Sequence, residues 1–500
     1  MWQNKGILNR LYLIFVILSI AHVRVTKASH GDGLSLLEAI DNNTSLAVIQ
    51  KAIAENPGAL KGDGETTPLH AAVIKNRIDI IKVLLTSNAD INVTDKDGNS
   101  ALHLAILDDS VDIDIIELLL DYDTNRNNKA ALTLKGQYGC TLLHCASIYG
   151  TPDIVDLLLA RGARINEKDN YNNTPLHWAI AQGNIEIAEL LLNYNTDSTN
   201  KADINAQGEY GYTPLHRAIF KNQADTVKLL LDHGAHINAA DNDTGETPLH
   251  YAIIKGHADI IEILLKRGAD TTIYSKAGNT PLHAASELAK AHIVELLLNH
   301  NAHINAKTED KYGYTPLHCA TLENRIKVVE LLLNRNADIN AKANNKYRST
   351  PLHSASMEGN TNVVQLLLDY GTDSTNKAGI NVQDDKGDTP LHWAFFNHHT
   401  ETAQLLLSRG ADTTIRNTDN KTPLDYAEEE EDKPSATPDI SPVDKAQTMF
   451  TLKNGVLASL VIGTFAYLVH LFIKKRVLAK KAKEEKTAEK TFPLTAIVAR

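Results

Sequence analysis

The chain has 500 residues, 43% of them apolar and only 5% aromatic, with three cysteines and a formal net charge of −11. Its length suits two or three ordinary globular domains, and three cysteines (Cys140, Cys145, Cys319) exclude a disulfide framework. Residues 1–30 carry four basic and no acidic groups and 474–500 carry nine basic and three acidic, so residues 31–473 hold −21 of charge, which argues against nucleic acid as a partner.

In chain order, Lys5 and Arg10 precede the apolar run Leu11–Ala21, and a polar stretch ends in Lys27-Ala28-Ser29. This is the pattern of an export signal over residues 1–29. Arg24 and Lys27 just beyond the apolar core, with no A-x-A site, leave an uncleaved signal anchor as the alternative. Residues 34–60 then predict two short apolar-periodic helices, read as an N-terminal cap.

From Thr67-Pro68-Leu69-His70 onward one tetrapeptide returns ten more times. It reads Ser100–His103, Thr141–His144, Thr174–His177, Thr213–His216, Thr247–His250, Thr280–His283, Thr315–His318, Thr350–His353 and Thr389–His392, closing with Thr422–Asp425. The final residues lie 33, 41, 33, 39, 34, 33, 35, 35, 39 and 33 apart. Thr is a good helix N-cap, Pro suits the first helical position, and Leu begins an apolar stripe. A small Ala two residues past the His (Ala72, Ala105, Ala146, Ala179, Ala218 and onward) lets helices approach. Gly or Asn six past the His (Gly150, Gly183, Gly256, Gly359, Asn76, Asn324) predicts a left-handed stop. Asp109, Ala289 and His398 stand at that place in other repeats and predict strained or loosened turns. A second amphipathic helix follows, then an Ala-Asp-Ile-Asn-like strand and a hairpin turn. Such a unit cannot bury its apolar face alone, so stacking makes residues 64–427 one quasi-linear array. The three long spacings share an inserted exit loop after the second helix, beginning at Asp121, Tyr194 and Tyr370; the second and third copies match closely enough to reflect block duplication.

A tetrapeptide of this kind at a period near 33 resembles the ankyrin repeat, and abundant Asn, Ile and Lys make the chain resemble ankyrin-repeat proteins of intracellular bacteria. The resemblance implies structural roles for the motif histidines His70, His103, His144, His177, His216, His250, His283, His318, His353 and His392, each hydrogen-bonding its capping Thr and a neighbouring turn. It implies a protein partner, of unknown identity, in a concave groove of first helices and hairpin tips. One residue after the motif His, Trp178, Tyr251 and Trp393 are read as packing residues ahead of recognition aromatics. Four residues after it the row is Ile74, Leu107, Ile148, Ala181, Phe220, Ile254, Glu287, Leu322, Met357 and Phe396. Nine of these ten are apolar, so the row reads either as a partner-binding strip or as packing between first helices. Tyr212 and Tyr314, just before the capping Thr, are expected as exposed hot-spot aromatics. Asp95, Asp97, Asp169, Asp241, Asp243, Asp384 and Asp385 in the hairpins favour a basic partner or a merely solvated face.

Nothing in the repeat points to catalysis or a cofactor. Cys140, His144 and Cys145 lack a second ligand pair at zinc spacing, and Asp95–Gly98 lacks the bidentate Glu of a calcium loop. Beyond the array, residues 428–453 read as an acidic, Pro-containing linker. Residues 455–473 are uncharged and just long enough for a transmembrane helix, and the basic tail 474–500 follows. The tail is also suited to anionic lipid headgroups, although positive-inside retention alone explains it.

The expected fold is thus an all-α-dominated solenoid of stacked helix-turn-helix-hairpin repeats plus one C-terminal transmembrane helix through the lipid bilayer. The expected placement is single-pass, with the array outside the cytoplasm and the tail inside, or two spans if the N-terminal segment is uncleaved. The expected role is a membrane-anchored, non-enzymatic scaffold for protein–protein interaction, the alternative being an elastic spacer or membrane-sensing element signalling through the basic tail.

Overall fold

Each Thr-Pro-Leu-His element opens a helix, and its own atoms explain why. Thr315 lies in extended backbone (φ −88°, ψ 163°), and its hydroxyl accepts from the His318 N–H at 3.4 Å. Pro316 then takes the first helical position, where an N–H would have no partner. In the computed structural model, which describes residues 35–108, 111–125, 130–194, 200–370 and 377–427, the first helices include Pro68–Ile74, Leu142–Tyr149, Pro214–Phe220, Pro248–Lys255 and Pro390–Phe396. The second helices, such as Ile78–Thr86, Ala258–Lys266, Ile326–Asn334 and Thr400–Ser408, bury one stripe each. Ile326–Asn334, for example, buries Val328, Val329, Leu332 and Leu333, the spacing of a single helical face. The Ala two past each motif His is fully enclosed, Ala179, Ala218, Ala252 and Ala320 all at 0% exposure, so a larger side chain there has no room.

The described chain forms two compact units. One comprises the residues up to Ala105 together with Ser110–Tyr122, the other Ile106–Asp109 together with the chain from Asp123. The first starts with Leu36–Asp41, capped by Ser35 and Glu38 acting on each other, then Leu46–Glu55 and a 3-10 turn, Pro57–Lys61. The second ends in the short Pro423–Ala427. There Asp425 stands in for the motif His, its carboxylate accepting from Thr422 N–H at 2.6 Å and from its hydroxyl at 2.9 Å.

Turns between paired helices follow the Gly/Asn pattern with one instructive exception. Gly183, Gly256 and Gly359 have φ of 80°, 77° and 69°, and Asn76 and Asn324 have 54° and 55°. Ala289 (φ 59°) and His398 (φ 60°) are forced into the same left-handed conformation; Asp109 lies outside the described residues. Gly150 departs from the expectation, with φ −81°. Pro152 begins the next helix and holds Thr151 extended. Gly150 is required there by closeness instead, since a Cβ would meet the Ala146 carbonyl oxygen at 2.7 Å.

The expected strands are a second departure. Among the described residues the hairpins are turns, with one isolated bridge between Thr94 and Ser100. Successive fingers exchange a single main-chain bond, as in Asn242 N to Tyr210 O (3.0 Å), Lys276 N to Thr244 O (2.8 Å) and Asn344 N to Tyr312 O (2.7 Å). One bond per step builds no ladder.

The expected transmembrane helix needs correction. Among the described residues no helix is long and apolar enough to cross a membrane. The 13-residue Ile113–Asn125 reaches only about 20 Å against the roughly 30 Å of a hydrocarbon core. Residues 455–473, where the span was placed, lie outside the described residues, as do 1–29, 428–453 and 474–500. The supported fold is the helical repeat array, and the single-pass membrane placement is not supported.

Candidate protein-binding face

The motif histidines are buried, and most of them are held at both ring nitrogens. The capping hydroxyl lies 2.7 Å from Nδ1 of His70 and 2.9 Å from that of His177. Its main-chain N–H donates to the same nitrogen, at 3.2 Å in His318 and 3.0 Å in His392. Nε2 reaches the next finger: Asn99 O from His70 at 3.0 Å, Asn279 O from His250 at 3.1 Å, Ser349 O from His318 at 3.1 Å and Asp388 O from His353 at 3.1 Å. These partners place the ring proton on Nε2. Burial pulls the rings below their usual range, His177 to about 3 and His216, His250, His283, His318 and His353 to about 4. His216 departs in one respect: its buried Nε2 makes no well-formed hydrogen bond, and only the nearby Glu246 main chain favours its protonated form from that side. His144 is engaged like its counterparts, with Thr141 at 2.8 Å and Asn173 O at 3.0 Å. Burial raises the Cys140 thiol to about 12 and also holds the Cys145 thiol well above its usual range. Among the described residues no group of three His, Cys, Asp or Glu is placed to hold a metal.

Several finger acids build turns. Asp169 accepts the N–H groups of Tyr171 and Asn173, both at 2.8 Å, through one oxygen, and the Trp178 indole N–H at 2.8 Å through the other. Asp384 does the same for Lys386, Asp388 and Trp393 at 2.8, 3.0 and 3.0 Å. Asp241 takes Asp243 and Thr244 on one oxygen, Glu246 and the Thr244 hydroxyl on the other, with the Tyr251 hydroxyl 3.2 Å away. Each aromatic after a motif His is therefore tied to the finger Asp of its own repeat. The sequence carries that signal, a Trp or Tyr nine or ten residues after an Asp, and the sequence reading missed it. Asp243 and Asp385 remain exposed.

The row four past the motif His lies at the surface. In the first unit Ile74 is 45% exposed. In the second, Leu107, Ile148, Ile254, Leu322 and Met357 are half-buried, Phe220 likewise, and Phe396 is 37% exposed. Tyr212 and Tyr314, expected as exposed, are half-buried because neighbouring rings cover them. Two aromatic centres result. Tyr212, Phe220 and Tyr251 meet edge to face with centroids 4.9, 5.6 and 4.8 Å apart, and the exposed Tyr210 lies 5.8 Å from Tyr212. Phe396 contacts Trp393 at 6.0 Å and Tyr426 at 5.5 Å, and Trp393 contacts Tyr347 at 5.1 Å. Tyr314 packs instead on Tyr312 (5.4 Å) and His318 (5.6 Å). Met357 helps line a small cavity beside Tyr347 and Trp393.

Helix pairs stacked by a buried His–Thr–carbonyl relay, with partly exposed aromatics on the first helices, define a helical-repeat protein. Family models described as ankyrin repeats match residues 36–130, 110–202, 198–275 and 267–343, and, in a second model, 322–368 and 352–407. The chain belongs to the ankyrin-repeat family. It is similar to the nuclear factor NF-kappa-B p105 subunit of Gallus gallus, 30% identical over 187 residues covering 36% of this chain and 18% of that protein. It is also similar to the putative ankyrin repeat protein FPV230 of fowlpox virus, 32% identical over 173 residues covering 29% of this chain and 92% of that protein. The solved ankyrin repeat domain of Bcl-3 aligns with TM-score 0.39 and 30% identity, covering 44% of this chain and 95% of that one. The chain thus spans less than a fifth of the p105 subunit's length. These bird and viral relatives do not bear on the expected likeness to proteins of intracellular bacteria.

Proposed function

We propose that this chain is a scaffold that binds a protein partner along the face formed by its first helices and fingers. Ankyrin-repeat arrays are in general protein-binding folds without catalytic machinery. The observation that carries the reading is the pair of aromatic centres, Tyr212–Phe220–Tyr251 and Trp393–Phe396–Tyr426. Rings locked edge to face and left partly open to solvent are pre-ordered anchors that lose little entropy on binding.

Replacing Phe220, Ile254 and Phe396 together with Ser tests it. All three are half-buried or exposed, so the far-UV circular dichroism is expected to stay unchanged while capture of the partner by the purified chain is lost. Undiminished capture by a folded triple variant contradicts the reading and returns the array to an elastic spacer, which needs no exposed rings.

A further inference from the structure

Where a finger passes into its first helix, two side chains face each other. The residue before the capping Thr or Ser and the one after the motif His fill positions N′ and N4, which staple together across a helix start. Three repeats show the pairing directly. The Arg217 guanidinium lies 5.7 Å from the Tyr212 ring centre, and the Lys421 ammonium 4.9 Å from that of Tyr426. Ser349 and Ser354 line one small cavity. In the repeat that opens at Thr141 the same two places hold Cys140 and Cys145. Both are buried, at 9% and 4% exposure. Burial first, and then the neighbouring Cys140, push the Cys145 thiol up, so each sulfur lies within the field of the other. Cys140 also closes its finger: its carbonyl accepts from Gly136 N–H at 2.7 Å, and its own N–H donates to Gln137 O at 3.2 Å.

We propose that Cys140 and Cys145 are a dithiol that oxidises to one local disulfide, fastening the finger of residues 136–140 to the helix Leu142–Tyr149. A single bridge of this kind is no framework, and it leaves out Cys319, whose N′ position is Tyr314. The co-reactant is a small disulfide such as oxidised glutathione. One thiol loses its proton and, as thiolate, attacks a sulfur of that disulfide, expelling a thiolate that takes up a proton. The second thiol, deprotonated in turn, attacks the protein sulfur of the mixed disulfide and releases the second glutathione thiol. Two thiols are oxidised to one disulfide while one disulfide is reduced to two thiols. Burial keeps both sulfurs protonated, so exchange waits on local opening of the finger. Tyr138 in that finger stacks on Tyr171 with 6.4 Å between ring centres, so the bridge also steadies a pair of fingertip rings.

The test treats the full reduced chain with oxidised glutathione, denatures it, blocks the remaining thiols with N-ethylmaleimide and maps all three cysteines by mass spectrometry. Cys140 and Cys145 are expected in one peptide lighter by two hydrogens and without maleimide, with Cys319 bridged to neither. In that state the Gly139 and Cys140 amides are expected to exchange with solvent more slowly, and dithiothreitol to restore the reduced rate. Cys145→Ser is expected to keep glutathione on Cys140, and Cys319→Ser to leave the bridge unchanged. Ser is close to Cys in size, and unchanged circular dichroism of both variants shows that they fold. Recovery of Cys140 and Cys145 as maleimide adducts, whatever becomes of Cys319, overturns the proposal. Glutathione left on Cys140 of the unaltered chain overturns it too, since the Cα atoms would then lie beyond the roughly 7 Å that a bridge spans. A bridge from either residue to Cys319 equally overturns it.

Discussion

At the scale of single residues, the same motif His does unequal work from repeat to repeat. His318 accepts from Thr315 and donates to Ser349 O at 3.1 Å, whereas His216 keeps the Thr213 contact at 2.9 Å while its Nε2 meets only the Glu246 main chain, without a well-formed hydrogen bond. Truncating a fully buried ring leaves a cavity, and at His318 it also strands a finger carbonyl. His318→Ala is therefore expected to cost about 2–4 kcal/mol, and His216→Ala about 1 kcal/mol less. Urea midpoints of the two variants check this, and equal losses would contradict it.

At the scale of elements, Ala289 ends its turn at φ 59° where other repeats use Gly or Asn. Ala289→Gly is expected to stabilise by roughly 0.5–1 kcal/mol, read as a raised urea midpoint; a lowered midpoint would show the turn unstrained. The helix pairs were legible in the sequence because Thr-Pro-Leu-His is a local signal: cap, first-turn proline and apolar stripe all lie within four residues. Gly150 was misread because Pro152, two residues on, overrides the glycine. The fingers were misread as strands because β-prone Ile and Val invite it, yet a single hydrogen bond per step is all that successive fingers exchange. The row carrying Phe220 and Phe396 could be placed by counting from the His, but not its exposure. Tyr212 is half-buried because Tyr251, 39 residues later, folds over it, and only stacking decides that.

At the scale of the whole molecule, repeated burial of neutral imidazoles couples stability to pH. Six rings with folded values of about 3 to 4 bind protons more readily when unfolded. Their contribution is full above pH 6.5 and is lost as pH falls toward 4, at up to about 1.4 kcal/mol per pH unit for each ring. Glu246 and Glu287, raised to about 7, and Asp388, raised to about 6, act with the opposite sign, losing stability as pH rises through those values. Six rings outweigh three carboxyls. Urea midpoints are therefore expected to fall from pH 6.5 to 4.5; a flat or rising profile would show that the rings are not buried neutral.

The central claim is that the first-helix and finger face, not the second-helix face, meets the partner. Ile185, Ile326 and Leu407 on the second helices are 39%, 40% and 37% exposed, close to Phe396, and make a matched control. The direct measurement places a photo-crosslinking amino acid singly at 220, 254 and 396, and singly at 185, 326 and 407, in the full chain within cells. Mass spectrometry then identifies the adducts. The same protein crosslinked from the first set and none from the second is the predicted result. Adducts confined to the second set, or equal from both, would contradict it.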